Sequence, residues 1–317
     1  MDMRNKRYNT LDLLRFFAAM SVTFYHLVFG MFPEYDILLD FFKYGMWGVI
    51  VFFVISGFVI INSTVGKMPL EFVQRRILRL YPAYWISLAY VFISLSILER
   101  QIDFPMFLAN ITMLQEFIGI DHMNGVYWTL SFELLFYFYI LVFIMVLKIP
   151  IDIFVIGWVV ILAAAKAIDA TIVVKLLLGN YAVFFLLGMA LYLTITKRKF
   201  LTYFALFVTL WLALDGAFIL IEDYSAYLKR EFSFSGVSLY LFIIIALALL
   251  FRRLNSNIAL YMGKISYPLY LVHSPCIWIA SEYYSGSTSL FIAICLIFCV
   301  SALVLLIEEA VRKKLRI

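Results

Sequence analysis

Charge is scarce in this chain. Only 14% of its 317 residues are Asp, Glu, Lys or Arg, and no stretch is long and polar enough to form a separate water-soluble domain. The period-two alternation of a membrane barrel is absent as well. Cysteine is limited to Cys276, Cys295 and Cys299, all inside apolar segments. Three such thiols make no disulfide framework and read as core filler. The chain has no Walker loop, no His/Cys cluster with metal-ligand spacing and no Gly-x-Ser-x-Gly elbow. A soluble-enzyme mechanism is therefore excluded, and no metal, resident cofactor or nucleic acid is expected. Internal repeats and low-complexity tracts are also missing. The first apolar run lacks a small-residue cleavage site, so it reads as a retained span.

What the chain does have is lipid-compatible sequence: 65% hydrophobic and 19% aromatic residues, with a mean hydropathy of +1.01. Apolar runs of about 20 residues recur along its length, the span an α-helix needs to cross hydrocarbon. The expectation is an all-α polytopic membrane bundle, a single domain over 1–317. Ten spans are expected, near 11–32, 42–62, 82–98, 126–147, 151–168, 176–195, 200–221, 236–251, 265–284 and 288–307. With the N-terminus in the cytoplasm, the inner segments collect 18 Lys and Arg, whereas the outer ones hold Lys43, Arg100, Lys175, Lys229 and Arg230. That asymmetry obeys the positive-inside rule for both termini in the cytoplasm of a plasma membrane, in bacteria the inner one.

Three ionisable groups interrupt the first span: Asp12, Arg15 and His26. Such groups cost at least about 2.5 to 3.5 kcal/mol at mid-bilayer, so they usually face a bundle interior or a wet cavity and mark function. Arg15 and His26 are eleven residues apart, roughly three helical turns and nearly one face, and Asp12 is spaced to pair with Arg15. In the fourth span Thr129, Glu133 and Tyr137 form one stripe. Glu133 and His26 each lie about 9 to 10 Å below the outer boundary by helical rise. Glu133 is therefore expected to orient His26 and favour its protonated form. The inner segment 69–82 places Leu70, Val73, Ile77 and Leu80 on one helical side, with Glu71, Arg75, Arg76 and Arg79 towards the other. It reads as an amphipathic interfacial helix whose guanidiniums suit phosphates; lipid binding alone is the alternative. His273 and Pro268 in the ninth span, Asp215 in the seventh and His122 in an outer loop are weaker signals. Asn110-Ile-Thr matches the glycosylation pattern but is discounted, as is Asn62-Ser-Thr.

Five stretches in this order resemble the membrane acyltransferase-3 family. They are Leu11-Asp-Leu-Leu-Arg-Phe-Phe-Ala-Ala with Arg15-x10-His26, Gly48 through Phe-Phe-Val-Ile-Ser-Gly-Phe58, Arg75-Arg-Ile-Leu-Arg-Leu-Tyr-Pro-Ala-Tyr-Trp85, Trp128-Thr-Leu-Ser-Phe-Glu133, and Ser266-Tyr-Pro-Leu-Tyr-Leu-Val-His273. The usual Trp-Ser-Leu-x-x-Glu has Thr129 in place of its Ser, with the glutamate kept. The resemblance implies transfer of an acyl group, commonly acetyl, from cytoplasmic acyl-CoA to a hydroxyl of an extracytoplasmic carbohydrate such as a surface polysaccharide. His26 is then the base, Arg15 its companion, and Arg75, Arg76 and Arg79 the donor contacts; Asp12 and Glu133 join the catalytic set. Trp128, Ser131, Tyr267 and His273 are further site candidates. Some relatives add a C-terminal hydrolase-like domain; this chain is expected to lack one. The competing reading is a multi-pass transporter or exporter, in which the polar stripe lines a pathway. Paired Gly/Pro-broken helices and inverted repeats, its usual marks, are not apparent.

Overall fold

The computed structural model describes residues 9–64, 66–253 and 255–314. Arg4, Lys6, Arg7 and Arg316, counted above towards cytoplasmic termini, lie outside the described residues, as does the side chain of Lys175. Among the described residues there is no strand. The helices, in order, are α1 (Asn9–Met31), α2 (Asp36–Phe42), α3 (Gly48–Thr64), α4 (Pro69–Ile97), α5 (Phe104–Ile111), α6 (Trp128–Tyr139), α7 (Ile151–Ala167), α8 (Thr171–Leu176), α9 (Ala182–Lys197), α10 (Phe200–Leu228), α11 (Phe234–Leu250), α12 (Ser256–Tyr283) and α13 (Gly286–Lys314). Short 3-10 turns join several of them, and a π-helical stretch, Ile140–Val146, extends α6.

All ten expected segments are helical. Eight of the helical segments are long and apolar enough to cross a bilayer, counted among the described residues. The two that fall short do so for different reasons. Helix α7 has 17 residues, about 25 Å against the roughly 30 Å of hydrocarbon. Helix α12 has ample length at 28 residues but carries Ser266, Tyr267, Pro268, Tyr270, His273, Ser274 and Pro275. From Ile265 to Ile277 every residue of α12 except Tyr267 is buried. Protein, not lipid, is its solvent.

The helix α4 corrects one expectation. It runs unbroken through Pro82, so 69–82 is not a separate interfacial helix. Its two sides are mixed in exposure, with Leu80 buried and Arg75 exposed. Leu70 is 67% exposed and Ile77 44% exposed, whereas Phe72 is buried and Arg76 and Arg79 are partly buried.

The chain forms two compact units. One comprises Ile50–Arg75 and Phe132–Ser238. Within it α3 crosses α9 at two glycines: a Cβ on Gly57 would strike the Phe185 carbonyl, and one on Gly188 the Val54 carbonyl. Bare backbones in contact are what small residues in membrane helices permit. That approach brings Phe53 and Phe136 onto Phe185, with ring centroids 4.5 and 4.3 Å away. Ion pairs Lys166–Asp215 and Lys197–Asp152, both 2.7 Å, tie α7 to α10 and α9. Asp215 thus has a structural partner.

The other unit comprises, among the described residues, 9–49, Arg76–Ser131, 239–253 and 255–314. Helix α12 packs between α1 and α13 at its centre. Pro275 has no N–H to give the Leu271 carbonyl, and Asn124 supplies the missing donor through Nδ2 at 3.0 Å. The stretch before α6 is anchored by Asn110, fully buried, which donates to the Met106 and Asp121 carbonyls and accepts from the Met123 N–H. A side chain so engaged is no glycan acceptor, which agrees with discounting that pattern.

Candidate functional site

The sequence stripe on α1 is the framework of the site, and α12 is what it packs against. Asp12 is 4% exposed, its Oδ1 3.6 Å from Arg15 Nη1. An ion pair this dry needs close company, and Gly263 of α12 provides room for it: a Cβ there would lie 2.5 Å from Asp12 Oδ1 and 2.6 Å from its Cβ. Gly263→Ala is expected to push the carboxylate off Arg15 and overpack the helix pair, at about 1 to 3 kcal/mol. Its thermal midpoint in detergent should drop below that of Gly125→Ala, a position with nothing within 4 Å.

Three turns along α1 stands His26. Its Nδ1 lies 3.0 Å from the Val22 carbonyl and 3.1 Å from Nε2 of His273 on α12. His273 is completely buried, and its own Nδ1 lies 3.3 Å from the Leu269 carbonyl. Carbonyls only accept, so in the neutral pair both Nδ1 atoms carry the proton. His26 Nδ1–H donates to Val22 O and His273 Nε2; His273 Nδ1–H donates to Leu269 O. Among the described residues nothing hydrogen-bonds His26 Nε2, whose lone pair is the basic one. The sequence reading gave the orienting of this ring to Glu133. Within its own unit the ring is bonded by Val22 and His273.

Glu133 belongs to the other unit. It is partly buried and accepts hydrogen bonds from Ser56 Oγ at 2.9 Å and from Tyr137 Oη. Within that unit the carboxylate serves α3 and its own helix. In that unit Arg75 is exposed and pairs with Glu71 at 2.8 Å, beside Lys67 at 3.0 Å from the same carboxylate oxygen.

The remaining candidates lie in the unit that holds the histidines. Arg79 is within electrostatic reach of Glu308, which pairs with Arg312 at 2.5 Å, and Arg312 Nη2 donates to the Arg79 carbonyl at 3.5 Å. Arg76 is partly buried on the same helix. Tyr267 Oη donates to the Leu80 carbonyl at 3.1 Å, and Ser131 Oγ to the Met113 carbonyl at 2.8 Å. These are fold bonds. Trp128 is partly buried. Beside His273 the sequence reading missed Tyr270, whose Oη lies 3.0 Å from Thr129 Oγ1, and it missed Tyr90, 3.3 Å from Cys276 further along α12. Neither has a local signal, since each partner is more than 140 residues away. His122 is held between Glu116 at 2.7 Å and Gln115 at 2.8 Å, an arrangement that fixes a surface turn.

A paired imidazole inside an apolar bundle fits several chemistries, and comparison with known proteins shows the family. The family model described as an acyltransferase domain, of the acyltransferase-3 type, matches residues 8–307. This chain is a member of the acyltransferase-3 family. The acyltransferase is also 29% identical over 155 residues to nodulation protein 10 of Rhizobium leguminosarum bv. viciae, a match covering 41% of this chain and 42% of that protein. The chain therefore aligns with less than half the length of that relative. No solved structure matches it. The family match takes in α1 through most of α13, so both histidines, the Asp12–Arg15 pair and the α4 arginines belong to the matched region. The acyltransferase is an integral, multi-pass membrane protein.

Proposed function

We propose that this acyltransferase moves an acyl group, acetyl in the simplest case, from cytoplasmic acyl-CoA to a hydroxyl of an extracytoplasmic carbohydrate, with His26 as general base. The observation that carries the reading is the His26 ring: it is bonded through Nδ1 and leaves Nε2 as an acceptor. In the proposed step Nε2 takes the acceptor hydroxyl's proton as oxygen attacks the thioester carbonyl. The C–O bond forms, the C–S bond breaks, and the CoA thiolate leaves with the proton from the imidazolium. General-base help of this kind is worth roughly 10² to 10⁴ in rate. Arg15, balanced by Asp12, supplies positive charge on the same helix for the developing oxyanion or the incoming donor.

The phosphates of CoA we assign to Arg75, Arg76 and Arg79. Guanidiniums bind phosphate bidentately, which lysines do not. Arg75 would exchange its Glu71 partner for the donor's phosphate, at little cost because the pair is exposed. The charge asymmetry of the sequence supports a cytoplasmic donor side and a bacterial inner membrane.

Membranes carrying the acyltransferase are expected to release CoA thiol from labelled acetyl-CoA and to place the label on carbohydrate. Mass spectrometry of surface polysaccharide with and without the gene identifies the acceptor. Changing Arg75, Arg76 and Arg79 together to Lys is expected to raise the donor KM by about tenfold or more with kcat little changed. Acetylation that proceeds without any acyl-CoA would overturn the reading.

A further inference from the structure

The pairing of two histidines across α1 and α12 assigns a task to the second of them, on the reading that His26 is the base. We propose that His273 is a positioning residue. It receives the Nδ1 proton of His26 as a hydrogen bond, holds the ring in the tautomer that keeps Nε2 basic, and takes part of the positive charge when Nε2 is protonated.

The geometry supports each part. The Val22 carbonyl lies at the i−4 position from His26, so it already accepts a backbone N–H of the α-helix and shares its capacity with the ring. A carbonyl on the ring's own helix also leaves the imidazole free to swing about its side-chain torsions. The Nε2 of His273, 3.1 Å away on another helix, is a second anchor that fixes the swing. His273 is itself held by Leu269 and lies wholly inside protein, where a hydrogen bond is stronger than in water. Protonation of His26 turns its Nδ1–H into a charged donor to a neutral imidazole, and such charge-assisted bonds are about twice as strong as neutral ones. Stabilisation therefore grows along the reaction, as positioning of a general base requires. No proton need leave the pair: Leu269 O cannot accept one, so the relay stops at His273.

The test uses the full chain in lipid bilayers. His273→Leu removes the acceptor at similar bulk and is expected to lower kcat by about 10- to 100-fold with the acyl-CoA KM within about twofold. His273→Gln places a carbonyl oxygen close to where Nε2 stood and is expected to stay within about threefold of the parent kcat. Because the chain has only three histidines, ¹⁵N-histidine NMR assigns each one, with His26 and His273 both expected as the Nδ1–H tautomer. An Nε2–H tautomer at either, a folded His273→Leu protein with unchanged kcat, or a folded His273→Gln protein as slow as His273→Leu would each overturn the proposal. Should His273→Leu fail to insert, the tautomer measurement and the glutamine variant still decide. Full activity in a His26 variant would refute the base and not the tautomer, so the two failures are distinguishable.

Discussion

His26→Asn is expected to insert and fold like the parent and to lose at least about 100-fold of acyl transfer, the lower bound of what a positioned general base supplies. Asparagine is the informative replacement because its amide nitrogen stands near where Nδ1 stood, so it still offers His273 a donor and Val22 a partner. Only Nε2 disappears. His26→Ala removes the donor as well, leaving the buried His273 Nε2 unsatisfied at a cost of about 1 to 3 kcal/mol, and mixes a folding effect with a chemical one. The decisive measurement is transfer of labelled acetyl by purified His26→Asn protein whose thermal midpoint matches the parent. An unchanged rate would take the proton abstraction away from His26.

The second large effect concerns the fold. Gly57→Ala and Gly188→Ala are each expected to cost about 3 kcal/mol or more, the upper end of overpacking, because the atoms in the way are the backbone carbonyls of Phe185 and Val54. A flexible side chain could step aside; a helical carbonyl moves only if α3 and α9 part. Parting them loosens Phe53 and Phe136 from Phe185. Either alanine separates the same helices, so the double variant should cost much less than the sum of the singles, a coupling expected only for residues that share one contact. Gly157→Ala, on α7 with nothing within 4 Å, is the control and should be neutral or stabilising by about 0.5 to 1 kcal/mol. Thermal unfolding of detergent-solubilised protein measures all four; equal midpoints for Gly57→Ala and Gly157→Ala would show that the crossing tolerates separation.

Much of the architecture was legible because lipid imposes one pattern on every span. Run length located all ten helical segments, and the spacing of Asp12 and Arg15 announced their ion pair. Local rules then failed where a proline intervened. Pro82 reads as a boundary, yet α4 continues past it. At the site the limit is different. The partner of His26 stands 247 positions along the chain, and periodicity on one helix does not reveal which helix it meets. Depth pointed to Glu133; the bond to His273 depends on rotation about the axis, which depth leaves undetermined. Gly263, which lets Asp12 lie against α12, was equally invisible, since a glycine within a helix carries no sign of what it makes room for.

The burial of α12 has a consequence for how the protein is made. A segment with two prolines, a histidine and several hydroxyls gains little by leaving water for lipid unaided. Its place in the membrane is secured by α1, which precedes it in the chain, and α13, which follows it. The helix that presents His273 thus reaches its final depth only once α13 has emerged, so the His26–His273 pair is completed after α12 itself has been made.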